Sequence, residues 1–253
     1  MIRRLRLFMR NNPIVKRTIY PFAWYFMNKV LHWRSRLLQA YGFEILLKVQ
    51  DAAKSENMVC SPYFGTLLGL VREGRLIKHD VDIDFLISPE SMNVKALYNR
   101  LKSIGFIPER ILLLNDRMLE FSMSYKIISV DFFLVGHSAG RDCNVFVFND
   151  RGEVRLHTYP KINGMVDMKT AADKTILVPG NAIEHLDNEY GTWRTPNKNW
   201  DARRGPSFSG LLDENRCIVS CVNGQSEMDA CFDAHPDLER IDGAQLENCL
   251  LTQ

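Results

Sequence analysis

The run Asp80-Val81-Asp82-Ile83-Asp84-Phe85-Leu86-Ile87 decides how this chain is read. Its first half alternates acidic and apolar residues and its second half is continuously apolar, the pattern of a strand entering the centre of a sheet. Side chains alternate faces along a strand, so Asp80, Asp82 and Asp84 point one way while Val81, Ile83 and Phe85 face an apolar layer. Alternate residues stand about 6.6 Å apart, close enough for Asp82 and Asp84 to reach one hard cation through oxygen ligands, the type Mg²⁺ prefers. A solvent-facing edge of alternating charge is the competing reading. It fits poorly, because an exposed edge would not continue as Phe85-Leu86-Ile87, and three like charges on one face repel unless something neutralises them.

Working outward, Met58-Val59-Cys60 reads as a short strand, and Gly65-Thr66 opens a helix through Leu67-Leu68-Gly69-Leu70-Val71-Arg72. A helix start offers free N–H groups, the positive end of a dipole and here a hydroxyl, all suited to a phosphate. Gly-Thr is also an ordinary capping pair; its place one element before the aspartates gives it weight. Apolar residues at Leu37, Leu38, Tyr41, Ile45, Leu46 and Val49 predict an amphipathic helix from Arg36 to about Lys54. Downstream, the pattern predicts a helix over 91–103 stopped by Gly105, an antiparallel pair over 118–124 and 126–135, and strands near 144–148 and 153–159 separated by a turn at 149–152. This order predicts an α+β domain with a mixed β-sheet flanked by helices. Asp131 is a lone carboxylate between Ile127-Ile128 and Phe132-Phe133-Leu134. A buried charge needs a partner, and two are open: a cation shared with Asp82 and Asp84, or an arginine. Beside an attacking hydroxyl, Asp131 would also serve as general base.

The chain has 253 residues, 46% hydrophobic and 25% charged, with a net charge of +2. That suits one soluble globular domain with extensions and excludes collagen-like or disordered classes. Charge is unevenly distributed: nine Lys and Arg precede the first acidic residue, Glu44, whereas from Asp201 onward ten Asp and Glu face four Arg. Three parts are therefore expected: a basic, aromatic N-terminal helical extension over 1–35, a catalytic domain over 36–201 and an acidic extension over 202–253. The head mixes arginines with Tyr20, Phe22, Trp24, Tyr25, Phe26 and Trp33. It reads equally as a segment lying on an anionic membrane surface or as a helix pair packing its aromatics on the core. No secretory signal or membrane-spanning stretch is expected. Six scattered cysteines fit reduced thiols in a cytoplasm. The spacing Cys217-x3-Cys221-x9-Cys231-x3-His235 is too loose for a structural zinc site, and the acidic tail is expected to pack weakly or to contact another protein. Basic residues confined to one end, without a binding motif, argue against nucleic acid. Trp193 and Lys198, near a Gly- and Pro-containing loop, are candidates to stack on a base or sugar and to pair with phosphate.

The stretch Phe64 to Asp84 resembles the G-T-L-L-G-x-x-R-x-G and D-x-D-x-D signature of the LicD and fukutin family. A second likeness covers Val178-Pro179, the helix from Ala182 to Glu189 and Tyr190-Gly191-Thr192-Trp193-Arg194-Thr195-Pro196, so the resemblance spans about residues 58 to 201. Two departures from the bacterial pattern stand at the rim: Lys78-His79 where Pro-Trp is usual, and Val81 where a further aspartate is frequent.

The resemblance implies a nucleotidyltransferase-like fold in which Gly65, Thr66 and Arg72 hold the donor's phosphates and Asp82, Asp84 and Asp131 bind Mg²⁺ or Mn²⁺. Asp80 is left to face substrate or to support the ligands. It also implies transfer of phosphocholine, ribitol phosphate or glycerol phosphate from a CDP-activated donor to a hydroxyl of a glycan or lipid-linked glycan, with release of CMP. Such a reaction is expected in the cytoplasm, at the inner membrane face. Nucleotide transfer with release of pyrophosphate, and an inactive membrane-associated scaffold, are the alternatives.

Overall fold

The computed structural model describes residues 13–87, 93–138, 140–148, 153–197, 200–213 and 216–234. The expected α+β class is what it shows. In chain order the elements begin with α1 (Pro13–Ser55), β1 (Cys60–Pro62), α2 (Phe64–Glu73), β2 (Asp82–Ile87) and α3 (Val94–Ser103). A run of strands follows: β3 (Ile107–Leu114), β4 (Arg117–Tyr125), β5 (Ile128–Leu134), β6 (Gly136–Ser138), β7 (Arg141–Phe148), β8 (Glu153–Tyr159), β9 (Met165–Lys169) and β10 (Thr175–Pro179). The chain closes with α4 (Ala182–Tyr190), β11 (Phe208–Leu211), β12 (Val219–Asn223) and α5 (Gln225–Ala234).

The main sheet has six strands in the order β1-β2-β5-β4-β3-β12. All its neighbours are antiparallel except β2 and β5, which run parallel with Asp84 opposite Asp131 and Phe85 opposite Phe132. On β4, Ser122 faces Asp131 and Phe121 faces Phe132. Successive residues point to opposite faces, so one row across three strands is polar (Asp84, Asp131, Ser122) and the next row, on the other face, is aromatic. Phe85 and Phe132 stack at 5.6 Å, and Phe132 and Phe121 at 4.5 Å. All three are fully buried.

Helices seal that apolar face. Leu38, Ile45, Leu46 and Val49 of α1, Leu97 and Tyr98 of α3, and Met228 and Phe232 of α5 join one core, in which Tyr98 stacks on Phe232 at 4.3 Å. A second sheet, β11-β8-β7-β6, carries a smaller core around Cys143, Val145, Val154, Leu156 and Leu212.

Two expectations need correction. The amphipathic helix predicted from Arg36 is the C-terminal part of α1, which runs unbroken from Pro13; residues 1–12 lie outside the described residues. The pair predicted over 118–124 and 126–135 exists, but Lys126 and Ile127 form its turn with φ of 50° and 70°, because the right-handed twist of a two-residue hairpin demands left-handed backbone even without glycine. Past residue 201, β12 and α5 pack on the same main sheet. β12 extends the main sheet, and α5 docks through Phe232 and through Asp229, which accepts from Tyr98 Oη at 2.7 Å and pairs with Lys102. Residues 235–253, including His235, lie outside the described residues, as do the turn at 149–152 and the predicted helix start at 91.

Gly69 lies where α2 passes beneath the loop leading to β2. A Cβ there would stand 2.7 Å from the Arg75 carbonyl oxygen and 2.8 Å from the Ile77 nitrogen, both backbone atoms that cannot yield cheaply. Gly69→Ala is expected to cost about 1–3 kcal/mol, measured by denaturant unfolding; an unchanged midpoint would show that the loop moves freely.

Candidate active site

The acidic residues are delivered by a loop that α1 and α2 hold on both sides. From α1, Arg34 Nη2 donates to the Val81 carbonyl at 3.3 Å, Ser35 Oγ to the Lys78 carbonyl at 2.5 Å and Gln39 Nε2 to the Ile77 carbonyl at 3.1 Å. Gly42 lets Leu76 press against the same helix, since a Cβ at Gly42 would lie 2.1 Å from a Leu76 methyl. From α2, the Thr66 hydroxyl accepts the Asp84 N–H at 3.0 Å, and the Tyr63 N–H donates to the Asp84 carbonyl at 2.9 Å. The entry to α2 is tightly bent: Phe64 has φ of 44°, held by ring contacts to Tyr63, Phe133, Phe146 and Tyr159.

Gly65 has no side chain because Asp80 occupies the space, its Oδ2 lying 2.8 Å from where a Cβ would stand. A carboxylate therefore sits against the positive end of α2, where a donor phosphate was expected. The Thr66 hydroxyl, buried and accepting from Asp84, ties helix to strand. The Asp80 and Asp82 side chains interact, which lowers Asp80 and raises Asp82.

The charges are poorly compensated. Burial raises Asp80. Burial and then the Asp80 charge push Asp82 to about 6, against the pull of Arg34. Asp84 is held well above the carboxylate range by burial and by Asp82, Asp131, Asp80 and Glu120. Asp131 is raised by burial in spite of the hydrogen bond from Ser122 and the nearby Arg110. Glu120, on the same face of β4 as Ser122, reaches about 7, burial outweighing its 2.6 Å pair with Arg110.

Of the two partners foreseen for Asp131, an arginine is nearby: Arg110 stands 4.0 Å away but is committed to Glu120, while Asp84 faces Asp131 across the parallel pair. Among the described residues, no three His, Cys, Asp or Glu side chains are already arranged to hold a metal ion. Asp82, Asp84 and Asp131 are the residues that could hold one. They share a face, offer only oxygen donors and repel one another, which suits a hard divalent cation once their side chains turn inward.

Arg72, in the last turn of α2, is half-buried, donating to the Trp193 carbonyl at 3.3 Å and to Glu73 at 2.9 Å, with its Nε buried and lacking a partner among the described residues. Trp193 does not offer a stacking face: its ring is buried, its indole N–H donates to Asp187 at 2.7 Å, and the Arg194 guanidinium lies over it at 4.4 Å. Trp193 thus packs its loop onto the domain instead of stacking on a base or sugar as expected; Lys198 lies outside the described residues. Tyr190 was not singled out from sequence, yet it feels the charges of Asp84, Asp80 and Arg72.

Residues 57–174 match the LicD/FKTN/FKRP nucleotidyltransferase domain, covering α2, the aspartate strand and β5. None of the curated proteins matches the chain. The paired carboxylates and the Gly-Thr helix packed against them lie within the matched residues, and residues 57–174 are similar to the nucleotidyltransferase domain of the LicD/FKTN/FKRP family.

Proposed function

We propose that the chain is a divalent-metal-dependent transferase that moves a phosphorylated group from a CDP-activated donor to a hydroxyl of a glycan or lipid-linked glycan, releasing CMP. The observation that carries this reading is the facing of Asp84 and Asp131 across a parallel strand pair, with Asp82 two residues before Asp84 on the same face. Similarity to that family supports transferase chemistry in general; the donor and the cation are our reading.

Asp82, Asp84 and Asp131 would hold Mg²⁺ or Mn²⁺, which when bound supplies neutralisation of charge on the donor's phosphate oxygens. The remaining work belongs to the chain. Thr66 and Tyr63 fix the backbone of Asp84, so its carboxylate cannot drift with β2. Arg72, anchored through Trp193 and Glu73, offers positive charge toward the phosphate from the opposite side. Ser122 donates to Asp131 Oδ1, which leaves Oδ2 to take the proton of the acceptor hydroxyl. A carboxylate raised by burial is a stronger base than a solvated one. Lys78 and His79 are both exposed and in this reading would meet the acceptor.

The test is to incubate the protein with CDP-choline, CDP-ribitol and CDP-glycerol, each with Mg²⁺ or Mn²⁺ and a glycan acceptor, and to identify the products. Released CMP is expected, with one donor raising the melting temperature most. Asp131→Asn should lower turnover about 10²–10⁴-fold and weaken that donor's metal-dependent stabilising effect. Pyrophosphate among the products of a nucleoside triphosphate, with no CMP from any donor, would overturn the reading in favour of nucleotide transfer.

A further inference from the structure

Every residue from Tyr25 to Trp33 on α1 is exposed, and the next residue, Arg34, bonds to the body at the Val81 carbonyl. This part is not polar. Phe26 is 62% exposed, Tyr25 54% and Trp33 48%, with Met27, Val30 and Leu31 exposed beside them. At 3.6 residues per turn, Phe26, Met27, Val30, Leu31 and Trp33 cover one side of the helix, and Asn28, Lys29, His32 and Arg36 the other. A soluble surface rarely leaves such a stripe bare unless something covers it. Among the described residues no helix is long and apolar enough to cross a membrane, so a spanning role does not account for it.

Charge identifies the occupant. Nine basic residues and no acidic one precede Glu44. A second copy of the helix would bring like charges together, which opposes pairing. An anionic bilayer satisfies both halves of the pattern: the apolar stripe enters the acyl boundary, Tyr and Trp sit at headgroup level, and lysines and arginines meet the lipid phosphates. We propose that the exposed stretch of α1 from Tyr25 to Trp33 is a docking surface for an anionic membrane.

The consequence for the site is geometric. The residue after Trp33 is Arg34, which grips Val81, and Ser35 and Gln39 hold Lys78 and Ile77. The docked helix and the loop carrying Asp80 are therefore one rigid piece, and Lys78 and His79 at the rim stand within a few residues of the lipid. The surface does not depend on the transfer reading, so membrane binding and turnover can fail separately.

The experiment is flotation of the full chain with vesicles of phosphatidylcholine alone or with about one third phosphatidylglycerol, reading the bound fraction together with tryptophan emission. Binding is expected only to the anionic vesicles, with a blue shift, and should weaken steeply at 1 M salt, where the screening length falls to about 3 Å. The double variant Phe26→Glu, Trp33→Glu should bind about a hundredfold more weakly, with its far-ultraviolet circular dichroism and melting temperature unchanged. Equal binding to both vesicle types, undiminished binding by the variant, or no binding by the wild type would overturn the proposal. So would a vesicle-free dimer in sedimentation velocity that the variant abolishes, since the stripe would then be covered by a second copy.

Discussion

Replacing Asp84 with asparagine is expected to raise the melting temperature of the metal-free protein while lowering divalent-dependent turnover about a thousandfold. The two effects share a cause. Asp84 is held above the carboxylate range first by burial and then by Asp82, Asp131, Asp80 and Glu120, so its negative charge works against the fold unless a cation is present. Asparagine keeps the shape and removes the charge, and the Asp84 N–H that binds Thr66 is backbone and survives. Each kcal/mol relieved is worth about 2–4 °C in a chain of this size. The pH dependence has a fixed sign. Groups with raised folded-state pKa bind protons more tightly in the folded chain, so their stabilisation is complete below about pH 4 and is lost as pH climbs through the folded values, about 6 for Asp82 and about 7 for Glu120. The metal-free wild type should therefore melt lower at pH 7 than at pH 5. Added Mg²⁺ should reverse that fall in the wild type and not in Asp84→Asn. A variant that melts lower than the wild type without metal, or that Mg²⁺ stabilises equally, would contradict the arrangement.

Phe132→Ala should destabilise the fold by about 3–5 kcal/mol, the largest single-residue cost expected in the main sheet. Phe132 is fully buried and lies near-parallel between two rings, 5.6 Å from Phe85 and 4.5 Å from Phe121. Truncation opens a cavity where three strands and the Tyr98–Phe232 pair converge, and neither neighbouring ring can close it without leaving its rotamer. Because Phe132 follows Asp131, the void lies directly behind the acidic row, so donor-induced stabilisation should weaken along with the denaturation midpoint. Phe132→Leu, which keeps most of the volume, should lose much less. A loss below about 1 kcal/mol for the alanine variant would mean that the aromatic row is not what aligns β2 with β5.

The sheet and its acidic strand were legible because they rest on local pattern: alternation over 80–84, continuous apolar residues after it and one stray carboxylate at 131. Glu120 carried the same signal, a charge inside Met118-Leu119-Glu120-Phe121, and its neighbour across the sheet, Arg110, lies in a strand that no pattern announced because Pro108 and a bulge interrupt it. Arg34 could not be singled out among nine basic residues of the head; only the tertiary contact with Val81 distinguishes it. The tail misled for a different reason. Its acidic composition described the solvent face of α5, whereas Met228 and Phe232, two apolar residues one turn apart, decided where it packs. Trp193 shows that a loop rich in turn residues can still bury its largest side chain, with its backbone carbonyl serving as the anchor for Arg72.

The parallel pairing of β2 with β5 also governs when the site comes into being. β4 and β5 form a hairpin whose strands meet across two turn residues, a contact that closes early because little chain entropy is lost. Asp84 joins Asp131 only after α3 and the β3–β4 hairpin have been threaded between them, since β2 and β5 can become neighbours only by a crossover. A folding intermediate holding the antiparallel strands alone would contain Asp131, Ser122 and Glu120 yet have no affinity for a divalent ion, so ion binding during refolding would report completion of the last long-range strand pairing.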